Sequence, residues 1–216
     1  MINENWNGLN ILVQNASTVG LLDLKILQDK KEKSSSFFDD LKNRKFKLLY
    51  LLGSDNLEFQ KNDEFIVYQG SHGDRGAEIA DLILPSATYT EQNGLYENLE
   101  GRIQECKKAS YPIGEALEDW KIFNQIIKKL GSKDYKVKFD ELRKEVLETA
   151  PNFSGINELP KKSVIKTNNI ETSFFSEKIF VRELDYYYTN SISRSSKTMS
   201  ECRQIRQKIK KDGTNN

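Results

Sequence analysis

Metal-binding side chains are scarce in this chain of 216 residues. It has two cysteines, Cys106 and Cys202, and one histidine, His72. An iron–sulfur cluster takes four thiolates and a structural zinc site takes four Cys or His ligands. The chain cannot build either from its own Cys and His. With no CxxC spacing, both cysteines read as free thiols of a reducing compartment. Apolar residues are also few, 37% against a usual ~45–50%. That core is thin for the length, and suits long surface extensions or a subunit that leans on partners. The longest apolar run, Leu48 to Leu52, is strand-sized and far short of the ~18 residues of a membrane helix, so no direct membrane insertion is expected. The start, Met1-Ile2-Asn3-Glu4-Asn5-Trp6, carries an acid, no Arg and no apolar core. Neither a secretory signal nor an Arg-rich transit peptide is expected there. Proline is rare (4) beside Phe (11) and Tyr (9), a bias that fits an AT-rich genome such as a bacterium's or an organelle's.

Short apolar runs separated by helix-length gaps dominate what is present. Leu9–Val13 reads as a strand, and Ser17 as the cap of a short helical turn with Val19, Leu21 and Leu22. Phe37–Asn43 reads as a short helix with acids early and Lys42 late, as the helix dipole favours. Phe46–Leu52, ending at Gly53, reads as a strand buried on both faces, and Phe65–Tyr68 and Leu82–Leu84 as further runs of that kind. This spacing points to a parallel sheet with packed helices. Leu117–Leu130 carries one apolar face (Leu117, Trp120, Phe123, Ile126, Ile127, Leu130), early acids, late lysines and Gly131 as a C-terminal cap, and predicts a helix. Phe139–Leu147 predicts a shorter one. Gly155–Thr172 lacks periodicity and reads as linker. Ile179–Tyr188 is apolar and aromatic, which suits docking on another surface.

Charge is uneven. Arg194–Lys211 holds seven basic residues against Glu201, while the whole chain is only +1, so the remainder is net acidic. A basic tail can neutralise nucleic-acid phosphates. This one interleaves no aromatics for base stacking, and Met199, Ile205 and Ile209 form an apolar stripe. A protein-docking helix is the expectation, and no nucleic-acid partner.

Two segments could carry chemistry. Tyr68-Gln69-Gly70-Ser71-His72-Gly73-Asp74 follows a buried strand, where α/β sites often lie. His72 and Asp74 are an acid–base pair in one reading. In the other, which is favoured, they belong to a glycine-permitted turn with Asp74 bonded to backbone amides. Asn98, Glu100 and Arg102, between Gly94 and Gln104, can lock a polar loop through a carboxylate–guanidinium pair. The residues alone leave open whether that loop binds a ligand or braces the fold.

The string Ala80-Asp81-x-Ile83-Leu84-Pro85, then Glu91-x-x-Gly94, Asn98-x-Glu100-Gly101-Arg102-x-Gln104, Gly114-Glu115-Ala116 and Asp119-Trp120, resembles the molybdopterin oxidoreductase superfamily. Within it, Tyr68-Gln69-Gly70-x-His72-Gly73-Asp74 is similar to the large iron–sulfur subunit of respiratory complex I (NADH:ubiquinone oxidoreductase). So are Leu9-Asn10-Ile11-Leu12 with Asn15-Ala16-Ser17, and the tail Ser191-Ile192-Ser193-Arg194-Ser195-Ser196-x-Thr198-Met199-x-x-Cys202. The likeness runs from about Trp6 to about Cys202 and fades between Gly155 and Glu177.

The resemblance implies an α/β fold: a partial, doubly wound, mainly parallel domain at 1–154, a linker at 155–178 and a basic docking tail at 179–216. It implies a non-catalytic, matrix-side fragment of the peripheral arm, scaffolding the iron–sulfur half of the same subunit. No catalytic, cofactor-binding or metal-ligating residue of its own is expected, and the Asn98–Gln104 loop becomes an inherited brace. Expected partners are the cluster-bearing half on a separate chain and other complex I peripheral-arm subunits, with organelle encoding. The alternative is the C-terminal pterin-binding segment of a two-chain molybdenum oxidoreductase.

Overall fold

The computed structural model describes residues 12–13, 15–16, 18–26, 37–54, 59–150, 155–158 and 185–213. In chain order its elements are α1 (Thr18–Asp23), α2 (Phe37–Lys42), β1 (Leu48–Leu52), β2 (Phe65–Gly70), α3 (Arg75–Glu78), β3 (Leu82–Pro85), β4 (Gly94–Glu97), β5 (Ile103–Cys106), α4 (Asp119–Lys129), α5 (Phe139–Thr149), α6 (Ser191–Arg194) and α7 (Lys197–Gly213). They fall into two units, one of residues 35–86 and 174–216, the other of 1–34 and 87–173.

The first unit is built on a parallel sheet in the order β1-β2-β3, with Tyr50 opposite Val67 and Tyr68 opposite Ile83. The mixed α/β class and parallel pairing are as expected. The burial is not. Only β2 is buried on both faces, through Ile66, Val67, Tyr68 and Gln69 in succession. In β1, Leu49 and Leu51 are buried while Leu48 and Leu52 are more than half exposed, and in β3 Leu82 and Ile83 face outward. The reason is position. β1 and β3 flank β2, and among the described residues neither is covered on its second face. The core is Leu41 of α2, Leu49, Leu51, Ile66 and Tyr68, with Phe46, Phe59 and Ile79 against it. Phe37 stacks on Phe46 at 5.4 Å.

The second unit centres on a hairpin, β4 against β5, in which Tyr96 faces Gln104 and Glu97 faces Ile103. This hairpin replaces the undifferentiated polar loop read from the sequence. Ile103 and Ala150 are almost fully buried, with Leu24, Leu95, Val146 and Leu147 packed on them. The predicted helix at Leu117–Leu130 is present but starts at Asp119, because Leu117 instead offers its carbonyl to the Ala87 amide at 2.8 Å. Gly131 follows α4 at φ +79°, the left-handed cap conformation glycine adopts without strain. Glu141 steadies the start of α5 by accepting the Val137 and Lys138 amides.

Several expectations fall outside the described residues: Leu9–Ile11, the Ser17 cap, the linker beyond residue 158 and the run 179–184. Leu12 and Val13 themselves lie in no helix or strand. Within the expected linker, Ile156 makes a parallel bridge to Ile103, with the Asn157 amide on the Ile103 carbonyl at 2.7 Å.

Candidate functional site

The loop after β2 lies at the carboxyl end of a central parallel strand, the position where α/β sites form. Its geometry is that of a brace. The buried Tyr68 curls back so that its hydroxyl donates to the His72 carbonyl at 2.6 Å. Gly70 sits under that ring, and a Cβ there would run into the phenol. Gln69, fully buried, accepts the Tyr50 hydroxyl. One Asp74 oxygen accepts the Arg75 amide at 2.9 Å and caps α3, and the other takes the Arg194 guanidinium at 2.6 Å. The His72 ring pairs with the Ser71 hydroxyl at 3.0 Å. Asp74 therefore meets a backbone amide, as the turn reading expects, and also Arg194, which that reading did not include. The same logic holds Asp81, whose carboxylate accepts the Ile66 amide and Lys61. Those hydrogen bonds, Lys61 first, hold it below the usual carboxylate range.

The loop joining β4 to β5 is locked by Asn98, whose side-chain oxygen accepts the Glu100 and Arg102 amides at 3.0 and 2.9 Å. Gly101 takes φ +80° at its apex. The expected Glu100–Arg102 ion pair is not the lock, and among the described residues none joins them. A short asparagine satisfies both amides at once, with Glu100 exposed and Arg102 half-buried.

The rest of the family-like string is tied in the same way. Glu91 accepts the Thr88 amide, Asn93 accepts the Lys108 amide, and Gln92 bonds Asp119 through both ends of its amide, to the carboxylate at 2.8 Å and from the backbone at 3.1 Å. Glu118 is the deepest anchor. It is 3% exposed and accepts Lys121 at 2.9 Å, Trp120 Nε1 at 3.1 Å and Lys108 at 3.2 Å. Burial pushes its carboxyl up, but these donors outweigh burial and leave it below its ordinary value.

One acid departs from this pattern. Glu97 is 6% exposed, and its Oε2 has no hydrogen-bond partner among the described residues. Burial, then a hydrogen bond to Asp23 and the charge there, pushes it up to about 7. It faces a cavity of about 290 Å³ walled by Leu21, Leu24, Leu95, Leu142 and Val146. Sequence reading passed over Glu97. The signal was alternation: in Leu95-Tyr96-Glu97 the first and third residues share a face, and Leu95 is apolar.

The tail begins against its own unit, through the Arg194–Asp74 pair, and then exposes itself. Arg203 binds Asp185 at 2.5 Å and lies 4.5 Å above the Tyr188 ring, while Ile205 and Ile209 of α7 are 59% and 66% exposed. Cys106 is partly buried and Cys202 exposed, both free thiols. Among the described residues no three His, Cys, Asp or Glu side chains converge in a metal-holding group, and no helix is long and apolar enough to cross a membrane.

Comparison with known proteins agrees with the resemblance read from the sequence. Residues 1–129 match the molybdopterin oxidoreductase family model, and residues 149–202 match that of the C-terminal region of the NADH-ubiquinone oxidoreductase G subunit. The chain is 39% identical to the NADH-ubiquinone oxidoreductase 75 kDa subunit of Reclinomonas americana over 94% of its own length and 29% of the relative's. It is 39% identical to the NADH-quinone oxidoreductase G subunit of Rickettsia typhi, over 98% and 30%. It is 37% identical to the mitochondrial NADH-ubiquinone oxidoreductase 78 kDa subunit of Neurospora crassa, over 93% and 27%. The chain thus spans less than a third of the length of these relatives.

Proposed function

The chain belongs to the molybdopterin oxidoreductase family, and from its likeness to the complex I relatives we propose that it is a structural, non-catalytic part of the peripheral arm of NADH:ubiquinone oxidoreductase. The observation that carries the reading is that most polar side chains of the family-like strings are bound within the chain. Gln69, Asp74, Asp81, Gln92, Asn93, Asn98, Glu118 and Asp119 all serve backbone amides or neighbouring side chains. A pterin is held by many polar contacts, and this donor set does not fit one, because its members are already hydrogen-bonded within the chain. The chain supplies a rigid brace, and electrons pass through clusters elsewhere in the assembly.

The partner that holds those clusters is the iron–sulfur-bearing part of this type of subunit. Other peripheral-arm subunits meet the tail, where Ile205 and Ile209 line one side of a basic helix. The site of action is the matrix face of the mitochondrial inner membrane, with the codon-linked Phe and Tyr bias fitting an organelle gene. The equivalent bacterial site is the cytoplasmic face.

The test is purification of the native assembly through a tag on this chain. Complex I subunits are expected to co-purify with iron, and loss of the chain is expected to abolish NADH-to-quinone activity by disassembly. Stoichiometric molybdenum or tungsten in the assembly would overturn the scaffold reading in favour of a two-chain molybdenum enzyme.

A further inference from the structure

We propose that the second face of the β1-β2-β3 sheet is a docking face for an amphipathic α-helix contributed by the part of this type of subunit that the chain does not span. The proposal rests on the subunit assignment above. Register fixes which side chains share the face. Leu48 stands opposite Phe65, Val67 opposite Leu82, and Gln69 opposite both Leu52 and Leu84, so these residues point to one side of the sheet. Leu49, Leu51, Ile66 and Tyr68 point to the other, where the core lies. The second face carries no charge, and its polar members Tyr50 and Gln69 hydrogen-bond each other. Leu48 is 58% exposed, Leu52 51%, Phe65 47% and Leu82 44%. Together they leave on the order of 300 Å² of apolar surface, the size at which a patch marks an interaction site.

Topology leaves this face bare among the described residues. Phe59, from the β1–β2 connection, and Ala77, Ile79 and Ala80, from the β2–β3 connection, all pack on the first face. Right-handed crossovers require this: strands laid down in one direction, β1 to β3, carry every connection over the same side. A parallel sheet is covered on both sides. In a doubly wound sheet the second side is covered by helices whose strands follow the reverse order. The chain spans 29% and 30% of the length of two of its relatives, so most of that type of subunit lies outside it and can supply such a helix. A second copy of this chain is the weaker occupant. Two such faces packed together would bury about 600 Å², roughly half of what the smallest stable interfaces need.

The experiment has two arms, both on the native assembly. In the first, cells are grown on diazirine-bearing leucine, the assembly is irradiated, and cross-linked peptides are identified by mass spectrometry. Leu48, Leu52 and Leu82 are expected to link to one segment of the rest of the subunit, at positions three and four residues apart as on one helix face. Links only within the chain, links to a second copy in an isotope-mixed sample, or none while the core leucines Leu41 and Leu49 do link, would each overturn the proposal. The second arm compares neighbours on β3. Leu82 and Ile83 are similarly exposed, at 44% and 50%, but Ile83 stands opposite Tyr68 on the first face. An unpaired carboxylate is costly to bury, so Leu82→Glu is expected to lower recovery of the tagged chain in the assembly roughly tenfold. Ile83→Glu is expected to stay within about twofold of the unsubstituted chain, as surface changes do. Equal recovery of the two variants would overturn the docking face. Failure of the tagged chain to bring down complex I subunits at all would instead remove the subunit assignment, so the two failures are told apart.

Discussion

Replacing Glu97 by glutamine should flatten the pH dependence of the hairpin's stability. An acid whose folded-state pKa is raised binds its proton more tightly when folded than unfolded. Its contribution is then fully present below the unfolded value and is lost as pH rises through the folded one. For Glu97 the window runs from about 4.5 up to about 7. Across it the wild-type hairpin loses up to about 3 kcal/mol at 1.36 kcal/mol per pH unit of displacement. The loss belongs to the Glu97–Asp23 pair rather than to one residue. Water reaching the cavity mouth reduces it, and a loss of about 1–3 kcal/mol is expected. Glutamine does not titrate and can donate its amide to Asp23. The assay is hydrogen exchange by mass spectrometry on the native assembly, following β4 and β5 amides between pH 4.5 and 8 with the intrinsic pH effect removed. Wild-type protection should fall roughly ten- to a hundredfold, and the variant's should stay level. The reasoning fails if both proteins lose protection in parallel, for then the pH sensitivity lies elsewhere.

Four further outcomes are expected. Glu118→Ala strands three donors. It should destabilise the second unit by about 2–3 kcal/mol by urea unfolding, less than a sealed site because Lys108 and Lys121 still reach water. Since Glu118 is held below its ordinary value, the wild-type advantage should be present above pH 4.5 and vanish as pH falls through the folded value. Arg194→Ala should cost about 1–2 kcal/mol, and a double-mutant cycle with Asp74→Ala should show coupling, because the 2.6 Å pair is largely sheltered on the arginine side. Residues 1–216 expressed alone should aggregate through the outer edge of β1, which pairs only with β2 among the described residues; a soluble monomer with one sharp thermal transition would contradict this. Ile205→Asp with Ile209→Asp should leave the chain folded yet reduce its recovery in the assembly severalfold by quantitative pull-down, and unchanged recovery would remove α7 from the docking surface.

How much was legible in advance depends on how local each cause was. Parallel strands at Phe46–Leu52 and Phe65–Tyr68 and the helices near Leu117–Leu130 and Phe139–Leu147 follow from apolar period and from glycine stops, which neighbouring residues set. The family resemblance was legible because its short strings are ordered along the chain. Burial of the strands was not, since an apolar run says that a strand wants cover and only the sheet order says which strand receives it. β2 lies between two others, and Leu48, Leu52, Leu82 and Ile83 do not. The turn around Asp74 was readable from its glycines, but its second bond comes from Arg194, 120 residues away. Glu97 shows the limit most clearly. A glutamate in the sequence is a surface acid by default, and only the packing of α1 and α5 over the hairpin takes its carboxyl out of water, beside Asp23 and against leucines. Composition and pattern determined the class of fold and the family. Tertiary structure decided which polar groups brace that fold and which one is unmatched among the described residues, because burial and pairing are properties of what distant segments bring together.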